Sequence, residues 1–237
     1  IEFYKKFGFE FDFRLATRPE HYAGTEKNWE KAEKDLEKAL KMKKLKYTLK
    51  PQDGAFYGPK IDVHIKDSLG REWQLATVQL DFHQPEAFGL TYIDNEGKEI
   101  RPVMIHRAIF GSFERFIAIL TEQFQGSFPV WLAPVQVAIL PISDKVITLA
   151  KEVEKQMKEL AVRAELDASA QTLGAKIRTH TLQRVPFLCI IGDKEVEKSL
   201  ADKKNYVSVR TREGKDLGMQ DVSAFLDTVQ KTIEKRI

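Results

Sequence analysis

Near the start of the chain, Phe9, Phe11, Phe13 and Leu15 alternate with charged residues, the period of a half-buried strand. Thr25 then caps a predicted helix from Glu26 to Met42, with Trp29, Ala32, Leu36 and Leu40 on its inner stripe and Lys and Glu outside. Two strands are predicted across the Ser68-Leu69-Gly70 turn, Ile61 to Lys66 and Glu72 to Phe82, and another from Leu90 to Ile93. The stretch Val103 to Phe116, VMIHRAIFGSFERF, predicts a strand-to-helix junction whose helix turns Ile109, Phe113, Phe116, Ile117 and Leu120 inward. Its other side carries Ala108, Gly111, Ser112, Arg115 and Ile119, small residues that let another layer approach, with one cation among them. The first half therefore predicts an antiparallel sheet backed by helices.

After Trp131-Leu132-Ala133-Pro134 the rhythm changes. Strands predicted at Val135 to Leu140, Val162 to Leu166, Phe187 to Ile191 and Tyr206 to Arg212 alternate with helices at Ser143 to Leu160, Leu173 to Arg184, near Glu195 and at Val222 to Lys235. This alternation predicts a compact α/β domain with a mainly parallel sheet. A boundary near Ala133-Pro134 divides the chain into domains of residues 1–132 and 133–237, an α+β part followed by an α/β part.

Composition narrows the classes. A chain of 237 residues, 43% hydrophobic and 31% charged, can bury one large or two ordinary cores. No apolar run approaches the roughly 20 residues of a membrane span, and no signal-peptide pattern opens the chain. The expectation is a cytoplasmic protein with no membrane partner. One cysteine, Cys189 within an apolar run, excludes an intrachain disulfide framework and predicts a buried strand residue. A net charge of +3 is compatible with an RNA partner without calling for one. The chain opens without methionine and reads as a piece of a longer protein.

Candidate chemistry is concentrated in a few segments. GAFYGPKID, Gly54 to Asp62, is a two-glycine turn with a phenol at Tyr57 and a cation at Lys60; a simple tight turn explains it equally well. Gln74 and Gln79 fall on opposite faces of a regular strand, and only a bulge lets both face one site. Asp62 and Asp81 read as solvated strand-end residues. His106 reads as a guard at the entry to the helix or as a satisfied core residue, and Arg115 as an anion contact or a partner of Glu114 or Glu122. In the second half Arg210 and Arg212 share a strand face, with Lys176, Arg178 and Arg184 on a neighbouring helix. That surface suits phosphates or base edges, or is a solvated basic rim.

The segments GAFYGPKID, WQLATVQLDF, VMIHRAIFGSFERF, WLAPVQV, TLQRVPFLCIIGDKEVE and VSVRTREGKDLG together resemble, in order and spacing, the threonyl-tRNA synthetase family. Gly111 to Arg115 is similar to motif 3 of the class II aminoacyl-tRNA synthetases. The resemblance implies the later part of a class II catalytic domain over 1–132 and an anticodon-binding domain over 133–237. It implies a threonine–tRNA ligase, which joins threonine to ATP, with Mg, as threonyl-adenylate and passes the threonyl group to threonine tRNA, the complete enzyme being a homodimer. Arg115 would be the catalytic residue on the ATP phosphates. Tyr57, Lys60, Gln74, Gln79 and Ser112 would line the threonine and ATP pocket, and Glu195, Arg210 and Arg178 would meet the anticodon. His106 would be one of three ligands to a zinc ion that holds the amino and hydroxyl groups of threonine, rejecting the nearly isosteric valine, which an apolar pocket separates poorly.

Departures set limits on that expectation. The family's upstream cysteine and second histidine, its motif 1, its motif 2 arginine and any editing domain are absent from this sequence. The chain alone is thus expected neither to hold zinc tightly nor to activate threonine. Ser169-Ala170-Gln171 stands where the family has an Arg-Asn-Glu run, which removes a bidentate base reader and weakens anticodon discrimination. The alternative is a noncatalytic, synthetase-derived RNA-binding protein.

Overall fold

In the computed structural model, which describes residues 2–236, a short helix α1 (Glu2–Lys6) leads into β1 (Glu10–Ala16), the strand that the Phe9 to Leu15 alternation predicts. Helix α2 (Glu26–Met42) starts where the Thr25 side chain accepts the backbone N–H of Asn28, and it buries Trp29, Ala32, Leu36 and Leu40 as its periodicity demands. Each of the larger of these side chains contributes about 1.5–3 kcal/mol by leaving water. Next come β2 (Tyr47–Lys50), β3 (Lys60–Lys66), β4 (Glu72–Asp81), α3 (His83–Ala87), the small hairpin β5 (Tyr92–Ile93) and β6 (Glu99–Ile100), β7 (Met104–Ala108) and α4 (Phe113–Phe124). The sheet order is β2-β1-β3-β4-β7, and all its pairs are antiparallel except β1 with β2. Leu15 of β1 and Ile61 of β3 pack on Leu36 and Leu40 of α2. That covers one face; Lys60, Asp62, Thr77 and Gln79 project from the other.

The inner stripe of α4 differs from the predicted one. Phe116, Ile119 and Leu120 are buried, whereas Phe113 and Ile117 are 70% and 58% exposed and Ile109 precedes the helix. An aromatic cluster decides the rotation. Phe116 packs against Phe3, Phe7, Phe9 and Phe110, and this turns Ile119 rather than Ile117 inward.

A second compact unit begins at Phe124. It contains β8 (Val137–Pro141), a 3-10 turn at Asp144–Val146, α5 (Ile147–Glu159), β9 (Ala164–Leu166), α6 (Leu173–Leu182), β10 (Phe187–Ile191), α7 (Asp193–Asp202), β11 (Tyr206–Thr211), β12 (Asp216–Asp221) and α8 (Val222–Lys235). The order is β12-β11-β10-β8-β9. β8 runs parallel to β9 and β10, while β11 runs antiparallel to β10 and to β12, so the sheet is mixed rather than mainly parallel. A helix between two strands permits a parallel crossover without enforcing one, and after α7 the chain returns against β10. Strand β12, DLGMQD, offers only Leu217 and Met219 as alternating apolar positions, with a glycine between them, and joins as an edge through its backbone, so its sequence does not predict it.

Met157 of α5 and Phe225 of α8 pack on one sheet face with Cys189, whose thiol burial pushes up. Leu173 and Ile177 of α6 pack on the other with Leu140 and Leu188. Val130 also joins the first of these cores, and the expected boundary at Ala133-Pro134 lies just beyond it. Among the described residues no helix is long and apolar enough to cross a membrane.

Candidate functional site

The open face of the first sheet owes its polarity to three strands and one loop. In β3 the residues Lys60, Asp62 and His64 alternate with apolar neighbours and share a face. In β4 the register slips: Val63 faces Ala76 but His64 faces Gln74, so Leu75 is an extra residue and the strand bulges. The bulge brings Gln74 onto the face of Thr77 and Gln79, which meets the condition set by their spacing. From β7, His106 lies directly across from Gln79 and Ala108 across from Thr77.

The loop Gly54–Pro59 closes the site because its backbone is fastened to the end of β4. Leu80 N–H donates to the Pro59 carbonyl at 3.0 Å and Phe82 N–H to the Tyr57 carbonyl at 2.9 Å. The approach is close enough that a Cβ on Gly58 would stand 1.9 Å from the Leu80 carbonyl oxygen, so this turn needs glycine for close contact. It delivers the Tyr57 hydroxyl to Gln79 Oε1 at 3.0 Å. Tyr57, Lys60, Gln74, Thr77, Gln79 and His106 then line a cavity of about 430 Å³.

Behind these groups stand two carboxylates that the sequence reading assigned to solvent. Asp62 and Asp81 are each 1% exposed. Asp62 accepts from Gln74 Nε2 at 2.7 Å and from the Thr77 hydroxyl at 2.6 Å, and pairs with Lys60 Nζ at 2.7 Å. Asp81 pairs with His106 Nε2 at 2.8 Å. Burial pushes the Asp81 carboxyl up, but the backbone N–H groups of Gln84 and His83, together with His106, outweigh it and leave it below the usual range. A signal for Asp62 was present in KIDVHIK, whose polar positions keep strict alternation with Ile61, Val63 and Ile65.

Arg115 and Ser112 lie outside the lining of this cavity. The Arg115 guanidinium sits over the Trp73 ring, 5.8 Å from its centre, and Glu122 is taken by Arg71 instead. Ser112 Oγ accepts the Arg115 backbone N–H at 3.3 Å and so steadies the start of α4.

In the second unit, Arg178 on α6 and Arg210 on β11 line one cleft of about 390 Å³. Arg212 lines it as well, tied to the Phe128 carbonyl at 2.7 Å and to Glu213 at 3.0 Å. Glu195 is buried, and its two oxygens accept Gly192 N–H at 2.8 Å and the Ser208 hydroxyl at 2.6 Å. It thereby joins the start of α7 to β11 two residues before Arg210. Lys176 is corrected: it is buried, with Nζ donating to the carbonyls of Pro141 and Asp167, and adds no charge to the exposed rim. A separate cavity of about 290 Å³ is lined by Lys176 with Ser169, Ala170 and Gln171.

The model of the "tRNA synthetase class II core domain (G, H, P, S and T)" matches residues 2–124, and that of the "Anticodon binding domain" matches residues 136–232. The expected boundary falls in the stretch between them. Over 98% of its length the chain is 51% identical to a threonine–tRNA ligase of Clostridioides difficile, and over 99% it is 48% identical to one of Acetivibrio thermocellus. It spans 36% of the length of either relative. The solved RNA binding domain of threonyl-tRNA synthetase from Cryptosporidium parvum superposes with a TM-score of 0.87 at 38% identity, covering 98% of this chain and 57% of that one.

Proposed function

Because this chain belongs to the class II tRNA synthetases, we propose that its first unit is part of a site that activates threonine with ATP and that its second unit holds the anticodon region of threonine tRNA. The observation that carries this reading is the convergence of Tyr57, Lys60, Gln74, Gln79 and His106 on one cavity through the bulge at Leu75. Five polar side chains from a loop and three strands form a preorganised wall for a small, polar ligand.

In the proposed reaction a carboxylate oxygen of threonine attacks the α-phosphorus of ATP, supplied with Mg, and pyrophosphate leaves. A terminal ribose hydroxyl of the tRNA then attacks the acyl carbonyl, loses its proton, and AMP departs. Neither step needs a strong general base in the cavity. Its residues contribute by orienting the ligand and by placing donors and a cation where negative charge develops. Lys60 supplies charge beside the cavity, and Arg115, exposed on the Trp73 ring, is assigned to the phosphates. Ser112 belongs to the site as the residue that steadies the turn carrying Arg115.

For the zinc ion that the family resemblance implies, His106 fits as one donor. Asp81 holds its Nε2 and leaves Nδ1 as an acceptor, the carboxylate–histidine arrangement common behind metal ligands. Among the described residues no group of three His, Cys, Asp or Glu side chains is placed to hold an ion. No step here is routed through a metal. A cytoplasmic setting and a homodimeric complete enzyme belong to the same proposal, as do Glu195, Arg178 and Arg210 as the anticodon surface, with Glu195 acting by fixing Ser208 beside Arg210.

The test is calorimetric titration of the purified chain with stable sulfamoyl analogues of threonyl-adenylate and valyl-adenylate. The threonyl analogue should bind at least about tenfold more tightly, the discrimination expected where a site hydrogen-bonds the hydroxyl. Equal affinity for the two, or no binding of either, would overturn the reading.

A further inference from the structure

Two glutamines of the same cavity are held in opposite senses. A carboxylate can only accept hydrogen bonds, so Asp62 dictates which end of the Gln74 amide faces it. Gln74 Nε2 donates to Asp62 Oδ1 at 2.7 Å and to Thr77 Oγ1 at 3.1 Å, which engages both amide hydrogens. The Thr77 hydroxyl in turn donates to Asp62 Oδ1, and Lys60 Nζ secures Oδ2. What Gln74 retains is its carbonyl oxygen, an acceptor. At Gln79 the order is reversed: Oε1 accepts the Tyr57 hydroxyl, and Nε2 remains as a donor. The wall of the cavity therefore sets one acceptor fixed by a carboxylate, Gln74, beside Gln79, whose amide the Tyr57 hydroxyl holds.

We propose that Asp62 is a positioning residue that sets this polarity, turning Gln74 so that its carbonyl oxygen accepts an O–H or N–H hydrogen of the ligand. This rests on the reading of the cavity as the adenylate-forming site. Stability alone does not account for Asp62, since a buried ion pair seldom outperforms apolar residues of the same size. The ligand group it serves is a hydroxyl or ammonium hydrogen of threonine, or a ribose or adenine hydrogen of the nucleotide.

The experiment titrates the purified chain with L-threonine, with ATP and with the threonyl-adenylate analogue, for the wild type, Asp62→Asn, Gln74→Glu and the double variant. Asp62→Asn frees the Gln74 amide to turn round, and the analogue should bind about tenfold more weakly, the usual effect of an unmatched polar group. Gln74→Glu sets two carboxylates against each other and should lose as much. In the double variant the new amide at 62 donates to the new carboxylate at 74, whose second oxygen again faces the ligand, so affinity should return to within about threefold of wild type, a coupling expected only of residues in direct contact. A residue that merely props up the fold gives no such rescue.

A loss seen with threonine alone, or with ATP alone, supports the proposal and identifies the half of the ligand that supplies the hydrogen. If Asp62→Asn binds like wild type, or the double variant binds no better than Asp62→Asn, the positioning role is overturned while the catalytic reading stands. If the wild type binds none of the three probes, both fall. Thermal melting accompanies each titration; should Asp62→Asn fail to fold, Gln74→Glu compared with the double variant makes the same test.

Discussion

Asp67 shows how much one side chain can organise. It is buried at the turn between β3 and β4, where Oδ1 accepts the backbone N–H groups of Leu69 and Arg71 and Oδ2 accepts from the Trp73 indole at 2.8 Å and Arg71 Nε at 2.6 Å. Burial would raise its pKa, but the hydrogen bonds from Trp73, Arg71 and Leu69 prevail and hold it at about 2, below the ordinary 3.8. The folded state thus binds the ionised form preferentially. The stabilisation is complete above the ordinary value and is lost as pH falls toward the folded one. Unfolding midpoints of wild type and Asp67→Asn should therefore differ at pH 6 and converge between about pH 4 and pH 2; a difference that persists at the acid end would place the effect elsewhere. At this scale the sequence was partly legible. It singled out Tyr57, Lys60, Gln74, Gln79 and His106 but assigned Asp62 and Asp81 to solvent, because whether a strand-end carboxylate is covered depends on the loop and strand that pack across it.

Strand β4 carries the site through its bulge. Removing Leu75 would restore regular pairing and leave Gln74 opposite His64, two positions from Thr77 and still on the face of Thr77 and Gln79. The deletion should therefore keep affinity for the adenylate analogue within about threefold of wild type, since the Gln74 acceptor stays on the cavity face. Leu75→Ala removes the same buried side chain but keeps the extra residue. It should cost about 2–5 kcal/mol of stability in a denaturant titration and leave binding within about threefold of wild type. A loss of more than about tenfold in the deletion alone would mean that Leu75 is not the extra residue that sets the face of Gln74. Among whole elements, α2 follows its sequence from the Thr25 cap to Met42 because its apolar stripe and its cap agree. For α4 the pattern allows two neighbouring stripes, and contacts with Phe3, Phe7 and Phe9, distant in sequence, choose between them.

On the scale of the molecule, each unit has its own core and its own polar site, which accords with one family match on each. The second unit distributes its cations unevenly. Lys176 is spent on two carbonyls, Arg178 is exposed on α6, and Arg210 is half-buried in the cleft next to the Glu195–Ser208 pair. An exposed helix cation suits a phosphate, and a half-buried, oriented guanidinium suits a base edge. Arg178→Ala should weaken binding of threonine tRNA and of an anticodon-swapped tRNA equally and reduce the salt slope by about 1. Arg210→Ala should cost the threonine tRNA about 1–3 kcal/mol and the swapped one little. Filter binding at several salt concentrations distinguishes the two, and equal affinity of the wild type for both tRNAs would mean that this surface grips only backbone.

The sequence by itself determined the run of strands and helices in outline, the change of rhythm near residue 133, the family, and most of the side chains that meet in the cavity. These are local properties: the period of apolar positions, caps and turns, and short motifs with fixed spacing. The tertiary structure alone decided that β11 returns antiparallel, that β12 exists, that Leu75 bulges, that Asp62, Asp81 and Lys176 are buried, and that Asp62 holds the amide end of Gln74. All of these depend on which strand lies alongside which and on hydrogen bonds between residues far apart in the chain. Pairing partners and buried polar contacts are selected by the free energy of the whole fold, and a local pattern carries no record of that choice.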